Sequence, residues 1–302
     1  MWYSCSIATN AWFEMPEWGD SLCLSHGISF KRIPEWVKHD EALKLLSWND
    51  RKNIQDAEWA LVFEYEADAL GSPDPKWQGP NPRGIQDTVA ERFSLMDLCL
   101  WLVNPSNLGF GATLHFGRVG DPASMRQFVS TKPVLIRDDE LDNQLTSQDW
   151  EAASMLLRSI LSLERDKTCW IAIWFLIRAV TEELWQGRYL WQWIVLEALF
   201  GPDSPNETTH RLAQRIALFA DAEPIERKAI FKSIKDAYSW RSKLVHGGRT
   251  NSLTAEKSQE LTVLVESSIR RAITKILNSD ELIKVFNGKT RDAYLEDLVF
   301  SN

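Results

Sequence analysis

The spacing of apolar residues changes character along the chain. From residue 147 onward they recur at three- and four-residue steps, the period of an amphipathic helix. This predicts helices over 147–165, 169–185, 188–200, 208–220, 225–246 and 254–278. The first opens on Ser147, a suitable N-cap, and places Trp150, Ala153, Leu156, Leu157, Ile160 and Leu161 on one face. The connections at 201–206 and 247–251 are short and rich in Gly, Pro, Asn and Ser, which is turn chemistry. Helices joined this way make a bundle. Upstream the texture is mixed. Residues 60–65, 113–118 and 133–136 read as strands, and 88–104 as a helix that stops before Pro105. The run 71–84 holds four prolines and three glycines and predicts an irregular loop. With a linker expected in the acidic stretch 138–148, residues 1–145 are read as an α+β domain and 146–302 as an all-α helical domain.

Composition narrows the class. The chain has 302 residues, 44% hydrophobic and 25% charged, enough to bury one large core or two ordinary ones. The longest apolar stretch, 169–180, is about twelve residues and contains Arg178, short of the ~18–20 that a membrane span needs. The first residues lack the basic-then-apolar pattern of a secretory leader. Cys5, Cys23, Cys99 and Cys169 are scattered with no CxxC spacing, which argues against a zinc site or disulfide framework and for a cytoplasmic location. The fifteen tryptophans fall mostly where a core face wants them. The formal charge is −8, yet 206–275 carries thirteen Lys/Arg against eight Asp/Glu. A basic segment on an acidic protein is compatible with a local polyanion site and equally with a solvated helical face.

Charges that interrupt apolar stripes are more informative. On the 188–200 helix, Glu197 falls among Tyr189, Leu190, Trp193, Leu196 and Phe200. On the 225–246 helix, Arg241 falls among Ile230, Phe231, Ile234, Ala237, Tyr238 and Val245. Arg215 lies at the edge of the Leu212/Ile216/Phe219 stripe. Burying an unpaired charge costs several kcal/mol, so these residues need partners or a polar cleft. The structural reading is an ion pair of Glu197 with Arg215 or with Arg241. His246 closes its helix just before Gly247-Gly248, a usual helix stop. An imidazole titrates near neutrality and suits acid/base work, although a lone terminal histidine is more often a solvated cap. Arg241 and His246 are five residues apart, about 140° on an ideal helix, and do not share a face.

The string Tyr238-Ser239-Trp240-Arg241-Ser242-Lys243-Leu244-Val245-His246-Gly247 contains the R-x4-H pattern of HEPN domains. Trp193 to Phe200, then Arg211 to Ala217, then this block resemble, in order and spacing, the Apea-like HEPN family. The resemblance covers roughly 147–278. It implies an antiparallel helical bundle that commonly dimerises and often acts as a metal-independent endoribonuclease in defence or toxin systems. Carried over, Arg241 and His246 match the catalytic pair. Ser242 stands where many active members carry Asn, Asp or His. Glu197, Arg215 and Tyr238 match other characteristic positions, and Lys243 joins them as a supporting or RNA-binding residue. RNA brings its own nucleophile, so one imidazole and one guanidinium suffice in principle, with no metal or cofactor. The partners implied are RNA, tRNA included, a second copy of the chain, and an unidentified trigger at the N-terminal domain; no membrane is expected. The alternative is a non-catalytic HEPN module that binds RNA or nucleotide, or that mediates dimerisation.

Other residues offer less. His26, His39, His115 and His210 have no partner spacing. Gly109-Phe110-Gly111 lacks the strand–GxGxxG–helix context of a dinucleotide site, 117–120 is no P-loop, and no GxSxG occurs.

Overall fold

β1 (Trp2–Thr9) is the inner strand around which the N-terminal sheet is built. Tyr3, Cys5 and Ile7 point to one face, Ser4 and Ser6 to the other, and all five are buried. This is a computed structural model, and it describes residues 2–9, 19–39, 43–44, 46–65, 82–106, 108–116, 126–129, 145–202, 208–220, 223–247 and 253–300. The chain divides into two compact units, Met1–Arg158 and Ser159–Asn302.

In the first unit, β1 is followed by β2 (Ser21–Cys23), β3 (Ile28–Arg32), α1 (Glu35–Lys38), α2 (Trp48–Asp56) and β4 (Trp59–Tyr65). Then come α3 (Pro82–Val103), β5 (Gly109–Phe116), β6 (Arg126–Val129) and most of α4 (Ser147–Leu161). The six strands run in the order β2-β3-β4-β1-β5-β6, every pair antiparallel. One face packs Tyr3, Cys5, Ile7, Ala60, Val62, Leu114 and Phe116 against Val37 of α1 and Ile54 of α2. On the other face the buried polar groups pair with one another. Ser4 Oγ lies 2.8 Å from His115 Nδ1, and Thr113 Oγ1 donates to Ser6 Oγ at 3.2 Å. Phe30 is stacked between Trp59 and Trp150, with centroids at 5.2 and 4.3 Å.

Several expectations shift here. The strand at 60–65 is β4, and the one at 113–118 is β5, which starts earlier, at Gly109. β1, β2 and β3 were not anticipated. The strand at 133–136 lies outside the described residues. So does the loop expected at 71–84, apart from its last three residues, which open α3. Proline is tolerated in a first helical turn, where its missing N–H has no partner to lose. Most of the expected linker, 138–148, also lies outside the described residues. The division instead falls inside α4, because Trp150 stacks on Phe30, and Ser154 accepts from the Ser25 N–H at 2.7 Å and from its hydroxyl at 3.0 Å.

Among its described residues, the second unit is built of helices and their connections, with no strand. It comprises α5 (Thr168–Thr181), α6 (Trp185–Phe200), α7 (Thr208–Phe219), α8 (Pro224–Val245), α9 (Ala255–Leu277), α10 (Asp280–Asn287) and α11 (Arg291–Phe300). The helix predicted at 169–185 stops at Thr181, and α6 starts at Trp185, three residues before the predicted 188. α10 and α11 lie beyond the predicted elements. α6 packs on α5, α7, α8 and α9, and Phe200, Phe219 and Phe286 meet ring to ring at its C-terminal end. No described helix is long and apolar enough to cross a membrane.

Candidate functional site

α6 brings Glu197 to α8 near the C-terminal ends of both helices. Tyr238 Oη donates to Glu197 Oε1 at 3.0 Å, and Arg241 Nη2 donates to Glu197 Oε2 at 3.0 Å. The same guanidinium sits 5.5 Å from the Tyr238 ring centroid. Tyr238 is itself held edge-on by Trp193, centroids 5.0 Å apart. One turn below, the Tyr189 hydroxyl donates to the Ala237 carbonyl at 2.7 Å and fixes α8 against α6. Burial and the Glu197 carboxylate together raise the Tyr238 phenol above its ordinary pKa, so it stays a donor. Of the structural alternatives in the sequence, the pair is therefore Glu197 with Arg241.

The Arg241 side chain keeps 22% of its surface exposed, and that of Glu197 keeps 27%. Only Nη2 is committed. Nε and Nη1 make no hydrogen bond among the described residues, which leaves one edge of the guanidinium fork open to an anion.

Arg215 behaves differently. It is 3% exposed and turns to the end of α6, donating to the carbonyls of Phe200 and Gly201 at 3.2 Å and to Asp292 of α11 at 3.0 Å. Arg291 supports it, donating to Ala198 O at 2.9 Å and Gly201 O at 3.3 Å. Two cations thus cap the orphan carbonyls of a helix C-terminus. Arg215 does not meet Glu197: its Nη1 is held by these acceptors and Asp292, and its Nη2, buried without a hydrogen bond among the described residues, lies 3.9 Å from Glu296 of α11. Arg291 and Asp292 lie beyond the helices that the sequence pattern predicted, so their part in this socket was missed.

α8 remains helical through Val245, and His246 is its C-cap, its N–H still bonded to Ser242 O at 3.1 Å. Gly247 follows with φ +65, a left-handed turn that a side chain would strain. His246 is exposed and Ser242 half-buried. Lys243 is exposed, its ammonium 3.9 Å from the Trp240 ring centroid. Because the helix is continuous, Arg241 faces α6 while His246 points about 140° away. The structure thus gathers Glu197, Tyr238 and Arg241, sets His246, Ser242 and Lys243 on the outer side of the same helix end, and assigns Arg215 elsewhere. Among the described residues no group of three or more His, Cys, Asp or Glu is placed to hold a metal. A small surface pocket between α7, α8 and α9, lined by Phe219, Ile230, Leu264 and Arg271 among others, contains none of these residues. In comparisons with family models, curated proteins and solved structures, no match to the chain was found.

Proposed function

We propose that the helical unit is a HEPN-type, metal-independent endoribonuclease whose site is completed by a second copy of the chain. Arg241 carries the reading: a half-buried arginine, oriented through one nitrogen by Glu197, with no hydrogen bond to Nε or Nη1 among the described residues. That arrangement suits a phosphate held by two parallel bonds. Glu197 and Tyr238 are positioning residues. They fix the guanidinium, and Tyr238 shares the carboxylate so that Arg241 does not spend both nitrogens on it.

The chemistry needs little else. The ribose 2′-oxygen attacks the adjacent phosphorus while the P–O5′ bond breaks, leaving a 2′,3′-cyclic phosphate and a 5′-hydroxyl. Arg241 neutralises charge on the non-bridging oxygens, and His246 takes the proton from the 2′-hydroxyl as neutral imidazole and gives it to the leaving 5′-oxygen as imidazolium. Since Arg241 and His246 of one helix diverge, the arginine of one copy works with the histidine of the other across a two-fold interface. The same divergence favours a second reading, a module that binds RNA without cutting it.

Purified protein incubated in EDTA with an RNA and with the DNA of the same sequence separates the two. Cleavage of the RNA only, with cyclic-phosphate ends and loss in His246→Ala, supports the nuclease. Full activity in His246→Ala, or strict dependence on a divalent ion, defeats it. RNA binding without cleavage leaves the binding module.

A further inference from the structure

One stripe along the exposed surface of α8 is mainly basic. With Lys228 as origin and about 100° per residue, Lys232, Lys235, Lys243 and His246 fall near +40°, −20°, +60° and 0°. All five are exposed. Among the acidic residues of and beside α8, Asp236 at about +80° sits at the margin of this line, about 20° beyond Lys243, and Glu223 and Glu226 are on the far side. A solvated helix face ordinarily interleaves both signs, because Glu/Lys pairs one turn apart stabilise it. Here none of the four lysines has an ion pair among the described residues. Two rest on aromatic rings instead: Lys235 Nζ is 5.5 Å from the Phe231 centroid, and Lys243 Nζ is 3.9 Å from that of Trp240. His210 of α7 meets Phe231 edge-on at 5.1 Å and extends this aromatic margin. From Lys228 to His246 the line runs about 27 Å, on a protein of net charge −8.

We infer that this line is a track for the phosphate backbone of a single RNA strand, delivering it to His246. The inference rests on the ribonuclease reading for the fate of the strand, but not for its binding. Three ammonium groups one turn apart and a fourth about 12 Å further on, none with an ion pair among the described residues, match a polyanion with repeating charges. Half-buried rings beside them offer faces on which unpaired bases stack, the combination used by sequence-tolerant single-strand binders. The track lies outside the Glu197–Tyr238–Arg241 cluster and reaches it only at the end of α8. It therefore contributes affinity and direction rather than chemistry.

The test uses the full chain and a fluorescent 2′-O-methyl oligoribonucleotide of about twenty nucleotides, which cannot be cleaved by 2′-attack. Anisotropy titrations over a range of salt compare wild type, Lys228→Gln/Lys232→Gln/Lys235→Gln, and a control of equal charge change, Lys257→Gln/Lys284→Gln/Lys289→Gln. Each phosphate contact with a single strand contributes about −0.7 to the slope of log K against log salt. The track triple should flatten that slope by about 2 and weaken binding on the order of 10–100-fold at 0.1 M salt. The control should keep the wild-type slope. Equal losses in both triples would reduce the effect to net charge and overturn the track. So would an unchanged oligonucleotide affinity, whether or not the track triple also lost binding to anionic lipid vesicles. Track-dependent binding in a protein that cleaves no RNA would sustain the track and defeat the nuclease. Cleavage with track-independent binding would do the reverse.

Discussion

Two arginines reach the last turns of α6 from different helices, and their surroundings differ in kind. Arg215 is sealed: its Nη1 donates to two backbone carbonyls and Asp292, its Nη2 is buried 3.9 Å from Glu296 with no hydrogen bond among the described residues, and almost no surface remains. Arg241 is tethered: one nitrogen holds Glu197, a phenol shares that carboxylate, and about a fifth of the side chain faces water. A cation shut away from water, with its carboxylate partner inside the fold, belongs to the fold. A cation held by one edge and open at the other is oriented for something outside it. The sequence marks both in the same way, as a charge on an apolar stripe, and only the partners separate them.

The sharpest way to break this contrast is truncation. Arg215→Ala takes the buried donor from the Phe200 carbonyl, parts Asp292 from its nearest cation and leaves a cavity, and should lose about 3–5 kcal/mol, read from denaturant midpoints. Glu197→Ala frees a cation that can still reach solvent, so about 1–2 kcal/mol is expected in the same experiment. A larger loss than that of Arg215→Ala would invert the assignment. Tyr238→Phe removes one hydrogen bond and should cost about 0.5–1.5 kcal/mol at neutral pH. Its pH dependence sharpens the point. The folded phenol titrates above the unfolded one, so its contribution is complete below the ordinary tyrosine pKa and is lost as pH rises through the folded value. The stability deficit of Tyr238→Phe should therefore shrink above about pH 10; a constant deficit would mean that neither burial nor Glu197 raises the phenol in the folded protein. His246→Ala touches a helix end only and should change stability by less than about 1 kcal/mol. Its effect, about 10²–10⁴ in rate, should appear in RNA cleavage.

The two units were not equally legible. Helices α5 to α9 emerge from apolar periodicity alone, and the Arg241–Glu197 pairing was among the options that periodicity left open. In the first unit, β4 reads as a strand because it is nearly all apolar. β1 does not, since Ser4 and Ser6 look like a wet face. They are buried, and paired with His115 and Thr113 from a strand more than a hundred residues away. No local pattern announces a polar partner at that distance. The alternation Tyr3/Cys5/Ile7 was the available signal. The Arg215 socket was hidden for the same reason, its carboxylate coming from α11. The lysine track lay within a segment already recognised as basic, but its alignment shows only when the residues are placed on a continuous helix.

The most direct test mixes two inactive proteins. Arg241→Ala and His246→Ala, each purified, should cleave RNA at least about 100-fold more slowly than wild type in EDTA. In a mixed dimer, one of the two composite sites receives an intact arginine from one copy and an intact histidine from the other. After the copies exchange, the mixture should regain about a quarter of wild-type activity, since half the dimers are mixed and each holds one intact site. No recovery after demonstrated exchange, or near-wild-type cleavage by either variant alone, would contradict a site shared between Arg241 and His246 of two chains.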